Sequence, residues 1–160
     1  MWQKLIEVLD KICTVYDKLA KLGERKRDAL VAVDMEGLSK ILDEEQLIAA
    51  QIQKLEQQRG AILQELSKDN PAVNSNTKAE DFYKTAPTQF LTKQLLTIHQ
   101  KISQNVERTL KIRDHNQILA QSALDAVNSK LNQLSGAFVE PTYGAKGAVV
   151  THQKKFDYKA

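Results

Sequence analysis

Apolar residues recur at every third or fourth position from the start of the chain: Trp2, Leu5, Leu9, Ile12, Tyr16, Leu19, Gly23, Lys26, Leu30 and Val33 mark one face. The alternation of three and four is a heptad seam, which lays one stripe of a long helix against another helix. Only Gly23 and Lys26 interrupt its apolar character, and a first helix over residues 2–33 follows. The pattern slips at "VDMEGL", where Asp34 is suited to cap a new helix and Gly37 loosens its first turn, so the chain reverses tightly. A second stripe, Leu38, Ile41, Glu45, Ile48, Ile52, Leu55, Arg59, Ile62 and Leu66, repeats the spacing through a helix over 35–67. Glu45 and Arg59 place charges on that seam. Either they fix register at a cost in stability or, the reading favoured, each long side chain reaches solvent past its neighbour's edge.

The stretch "SKDNPAVNSNTKAEDFYKTA" breaks the period with Asn-Pro and a cluster of Ser, Asn and Thr, the composition of a connector over 68–86. Such a length is unusual inside a compact domain. Phe82 and Tyr83 within it read as tacks that hold the connector to the helices rather than as a ligand site. Pro87 suits the first turn of a third helix, with Thr85 as a cap, and the helix runs over 87–135, roughly 70 Å at about 1.5 Å per residue. One seam on it runs Leu91, Leu95, Ile98, Ile102, Asn105, Thr109, Ile112, Asn116, Leu119 and Ala123; Val106, Leu110, Leu124, Val127, Leu131 and Leu134 form a shifted one. Two seams imply two neighbours. The first hairpin supplies one, and from about Ile118 the stretch "ILAQSALDAVNSKLNQL" is expected to keep an apolar face for another chain. Gly136 then ends the helix.

These elements predict an all-α protein: an antiparallel bundle or coiled coil of three long helices forming a domain over 1–135, followed by a flexible C-terminal tail over 136–160. Aromatic residues make up only 6% of the 160 residues, consistent with helices packed through Leu and Ile rather than a sheet. The 23 basic and 20 acidic residues alternate along the chain and leave a net charge of +3, so no strong field points at nucleic acid or lipid. The densest basic stretch, "GERKRDAL", is interleaved with Glu24 and Asp28, which reads as a solvated face of pairs at helical spacing. The single Cys13, the absence of a signal-peptide core and the lack of any run long enough to span a bilayer predict a cytoplasmic protein without membrane insertion. His99, His115 and His152 stand far apart, and the first two read as solvated helix positions. No metal site, phosphate loop or nucleophile context is recognisable, which predicts neither a cofactor nor an enzyme.

The tail contains "EPTYGAKG", where Pro141, Gly144 and Gly147 bracket Tyr143. Together with "RDHNQILAQSALDAVNSKLNQL", it resembles the pattern of the FlgN family of flagellar export chaperones: an Asn-rich final helix, a short spacer and a Tyr-Gly strap. The resemblance covers nearly the whole chain, and its specific part lies in residues 113–147. It implies a non-enzymatic cytoplasmic chaperone for the hook–filament junction proteins FlgK and FlgL, delivered to the flagellar export gate. By that resemblance Leu119, Leu124, Val127, Leu131 and Leu134, with Asn128 and Asn132 on the polar rim, match the client-holding positions. Tyr143 matches a tyrosine that docks on the cytoplasmic domain of the gate protein FlhA. Pro141 would limit the strap's freedom and Gly144 would let it turn. Folding of Tyr143 back onto the bundle is the competing reading, and Phe156 and Tyr158 in the longer tail compete for the docking role. The rival function is a constitutive coiled-coil adaptor or scaffold, a homo-oligomer closed by the third helix.

Overall fold

The computed structural model describes residues 1–136. It contains α1 (Trp2–Ala32), α2 (Met35–Lys68), α3 (Ala79–Tyr83) and α4 (Gln89–Ser135), with no strand among the described residues. The fold is all-α. Contacts divide the chain into two compact units, Met1–Leu119 and Ala120–Ala160.

In the first unit α1 is the central element, because it is apolar on more than the heptad stripe. Besides Leu5, Leu9 and Ile12, it buries Ile6, Val8, Val15, Ala20, Leu22 and Ala29. Val8, Ile12 and Val15 pack with Leu55, Ile48 and Ile52 of α2. Leu5, Ile6 and Leu9 join Leu66 of α2, Phe82 and Tyr83 of α3, and Leu95 of α4. Each fully buried Leu or Ile in these clusters contributes about 1.5–3 kcal/mol. Towards the hairpin turn the core narrows to Leu22, Ala29 and Ile41, with Leu38 and Ile48 against them and no α4 residue. Cys13 meets Asn105 and Gly23 meets Asn116, so α4 runs parallel to α1, while α2 runs antiparallel to it.

The reversal between α1 and α2 uses local hydrogen bonds. Val33 adopts the left-handed conformation at φ 52°, its N–H donating to Leu30 O and that of Asp34 to Ala29 O, a Schellman closure. Asp34 then caps α2, its Oδ1 accepting from the Gly37 N–H at 3.0 Å.

The connector is more ordered than its composition predicts. Asn70 Oδ1 accepts from the Ala72 N–H and Asn74 Oδ1 from the Asn76 N–H, side chains standing in for backbone partners. Residues 79–83 form the five-residue α3, too short to show a period. Phe82 and Tyr83 on it are buried against α1 and α4, the tacking role expected of them. α4 begins at Gln89 rather than at Pro87, because Thr88, not Thr85, supplies the cap: its Oγ1 accepts from the Leu91 N–H at 3.2 Å. The Thr85 hydroxyl is engaged instead with Phe82 O.

Candidate functional site

The first part of α4, within the first unit, lies on α1. Leu95 is fully buried, with Leu91, Ile98 and Ile102 packed beside it. Further along, the same seam becomes polar at Asn105, Thr109 and Asn116, as its spacing placed them. Asn105 Nδ2 donates to Cys13 O at 3.2 Å, and Asn116 Nδ2 to Gly23 O at 2.8 Å. Both acceptors are carbonyls already inside helix α1, so each amide uses a second lone pair. Gly23 allows this approach: a Cβ there would stand 2.7 Å from Ile112 Cγ2. Asn116 is the buried polar residue of the unit, and its Oδ1 has no hydrogen-bond partner.

Ion pairs border these seams. Arg108 reaches Glu24 at 2.7 Å and Asp17 at 3.6 Å. The hydrogen bond and charge of Arg108 hold the Glu24 carboxyl below its ordinary value, and Glu24 raises the Arg108 guanidinium in turn. Arg25 pairs with Glu44 and Lys26 with Glu45, both across the hairpin. Within "GERKRDAL" Arg27 and Asp28 pair inside the helix at 3.6 Å, whereas Glu24, Arg25 and Lys26 find their partners on other helices. Lys26 and Glu45 are the polar seam positions of α1 and α2, and they neutralise one another rather than separately reaching solvent. Arg59 pairs within its own helix with Glu56 at 2.7 Å.

Other titratable groups are structural in setting. Burial pushes the Cys13 thiol up, aided by Asp10, and burial likewise raises the Tyr83 phenol. The Arg59 guanidinium faces the Tyr83 hydroxyl and opposes that rise through its charge and a polar contact, but no group meets full hydrogen-bond geometry there. His99 is not simply solvated: its ring meets Tyr83 edge-on at 5.6 Å and its Nε2 lies 3.7 Å from Glu80 Oε1. Among the described residues, no group of three or more His, Cys, Asp or Glu is placed to hold a metal, and no helix is long and apolar enough to cross a membrane.

The second unit contributes residues 120–136 to the described structure. Leu124, Val127, Leu131 and Leu134 lie at alternating spacings of three and four on one continuous helix, within an arc of roughly 80° at about 100° per residue. All four are exposed, Leu124 at 46% and Leu134 at 75%. Asn128 is exposed next to the stripe and Asn132 half-buried. Leu119, assigned with them from sequence, belongs to the first unit and is half-buried there. Gly136 closes α4 with φ 62°. Pro141, Tyr143 and Gly144 lie outside the described residues.

Sequence reasoning missed the amide contacts of Asn105 and Asn116 with α1. Their signal was present as polar residues on an apolar seam and a glycine on the facing one, but the partners are separated by 92 and 93 positions.

The family model described as FlgN protein matches residues 1–151 of the chain. Comparison with curated proteins and with solved structures returned no match. The chain belongs to the FlgN family, a family of flagellar export chaperones rather than of enzymes.

Proposed function

We propose that this FlgN-family chain is a cytoplasmic chaperone that binds the C-terminal helical segments of the hook–filament junction proteins FlgK and FlgL, prevents their premature assembly and delivers them to the flagellar export gate. The observation that carries this reading is the stripe Leu124, Val127, Leu131 and Leu134, four large apolar side chains exposed at helix-pairing spacing in a member of an export-chaperone family. Exposed apolar side chains spaced in this way suit a helix laid into a groove or along a seam, with apolar anchors inside and a polar rim, here Asn128 and Asn132. Leu119 extends the set assigned by the family resemblance. Tyr143, between Pro141 and Gly144, is assigned to docking on the cytoplasmic domain of FlhA: an aromatic ring loses little side-chain entropy on entering a preformed pocket.

The test is calorimetric titration of the full chain with the C-terminal segment of FlgK or FlgL, beside Leu124→Asp and Tyr143→Ala. Binding abolished by the first substitution and kept by the second assigns the helix to client capture and leaves the strap for the gate. No binding to either segment returns the chain to the class of coiled-coil adaptors. Such an adaptor would be a dimer whose size is independent of concentration and unchanged by the client segments.

A further inference from the structure

The apolar stripe of the second unit differs from the protein's other seams in what borders it. α1 carries twelve charged side chains in 31 residues, whereas 120–136 carries two in 17, Asp125 and Lys130. With Leu124, Val127, Leu131 and Leu134 as the seam, the positions directly beside it are Gln121, Ala123, Asn128, Lys130 and Ser135, and Asp125 and Asn132, seven residues apart, share the next row out. Asp125 stands one position outside that border, its Oδ1 accepting from Gln121 Nε2 at 3.0 Å. Lys130 is the lone charge in the row directly beside the seam and makes no ion pair among the described residues. The α1–α2 seam shows the opposite arrangement, bordered by Arg25–Glu44 at 3.1 Å and holding the pair Lys26–Glu45 at 3.1 Å within it.

Resting on the client-binding reading above, we propose that the occupant of this face is an amphipathic helix with an uncharged rim. Its rim consists of amide, hydroxyl and small side chains around Leu, Ile or Val anchors, and it associates without electrostatic steering. A carboxylate or ammonium set opposite Gln121, Ala123, Asn128 or Ser135 sheds water and meets no counter-charge, which disfavours a charged partner. An amide or hydroxyl in the same place exchanges a hydrogen bond with water for one across the seam at little net cost. Selectivity for neutral rims would also discriminate against the charged seams of ordinary coiled coils, α1 and α2 of this chain included. Without charge steering, the association rate falls in the neutral range of about 10⁵–10⁶ M⁻¹s⁻¹ and the affinity is insensitive to salt.

Three synthetic helical peptides of matched helicity test this on the full chain, each with the same Leu/Ile stripe and with a Gln/Asn/Ser, a Glu or a Lys rim, beside the FlgK C-terminal segment. The neutral-rim peptide should bind with a Kd that changes less than about twofold between low and high salt, and both charged-rim peptides should bind at least about tenfold more weakly. Leu124→Asp should abolish the neutral peptide's binding. Equal or tighter binding of a charged-rim peptide, or a tenfold loss of affinity with salt, overturns the proposal. Binding of the FlgK segment without binding of the neutral-rim peptide also overturns it while leaving the client-binding reading in place. Failure of every segment, FlgK's included, removes both.

Discussion

Replacing Gly23 by alanine sets two effects of opposite sign against each other. Gly23 lies inside α1, where alanine is favoured over glycine by about 1 kcal/mol on helix propensity. The new Cβ would stand 2.7 Å from Ile112 Cγ2 and 3.7 Å from Ile112 Cβ. Cγ2 is attached directly to a β-branched centre whose χ1 is nearly fixed in a helix, so α4 itself must move, and overpacking of this kind costs about 1–3 kcal/mol. The displacement also lengthens the 2.8 Å hydrogen bond from Asn116 Nδ2 to Gly23 O. Gly23→Ala should therefore be neutral to destabilising by about 2 kcal/mol, against the sign that propensity alone dictates. In an Ile112→Ala background the obstruction is gone, and the same substitution should stabilise by up to about 1 kcal/mol. Urea unfolding of the four proteins gives the coupling directly, expected at about 1–3 kcal/mol. Equal effects of Gly23→Ala in both backgrounds would refute the close packing of α4 on α1 at this position.

Four further outcomes follow from particular contacts. Val33→Gly should stabilise by about 1 kcal/mol in thermal melts, since a β-branched residue is strained at φ 52° where glycine is not. Glu45→Ala should cost about 1 kcal/mol by leaving Lys26 unpaired at a seam where both side chains are 26% exposed, whereas the double change Lys26→Leu with Glu45→Leu should be neutral or stabilising in denaturant titrations. Tyr83→Phe should be neutral or stabilising by about 1 kcal/mol in the same assay, because it removes a buried hydroxyl whose neighbour, Arg59, falls short of hydrogen-bond geometry. The Glu24 carboxyl is depressed by Arg108 on folding, so its contribution is present above the ordinary value of 4.5 and lost as pH falls through the folded value; melts across the acid range should fall less steeply for Arg108→Gln than for the wild type.

How far each element was legible in the sequence depends on how local its cause is. The long helices announce themselves because a heptad stripe needs only neighbours three and four residues apart, and Asp34 is readable as a cap because its hydrogen bond spans three residues. α3 leaves no such mark: five residues complete little more than one turn, and its two aromatics acquire meaning only when Leu5 and Leu95 surround them. Thr85 and Thr88 are equivalent by composition, and backbone geometry alone decides which hydroxyl faces the free N–H groups of α4. Lys26 and Glu45 were each visible as charges on a seam, but their pairing needed the register of α1 against α2. The stripe Leu124 to Leu134 was visible as spacing; the exposure of these four side chains is what the structure adds.

The seam of α4 within the first unit also changes in strength along its length. Around Leu95 it buries apolar surface, Leu95 itself fully and contributing about 1.5–3 kcal/mol, with Ile98 and Ile102 partly buried beside it. From Asn105 to Asn116 it relies on amide-to-carbonyl hydrogen bonds, each contributing about 0.5–1.5 kcal/mol net, and the unpartnered Asn116 Oδ1 offsets part of that gain. Hydrogen bonds nevertheless do something that a Leu stripe does less well. A leucine tolerates a slide along its neighbour, but an amide aimed at one carbonyl, beside the one residue of α1 that lacks a side chain, accepts a single register. The first turns of α4 therefore supply most of its attachment to the hairpin, and the polar turns that follow determine where along α1 it rests.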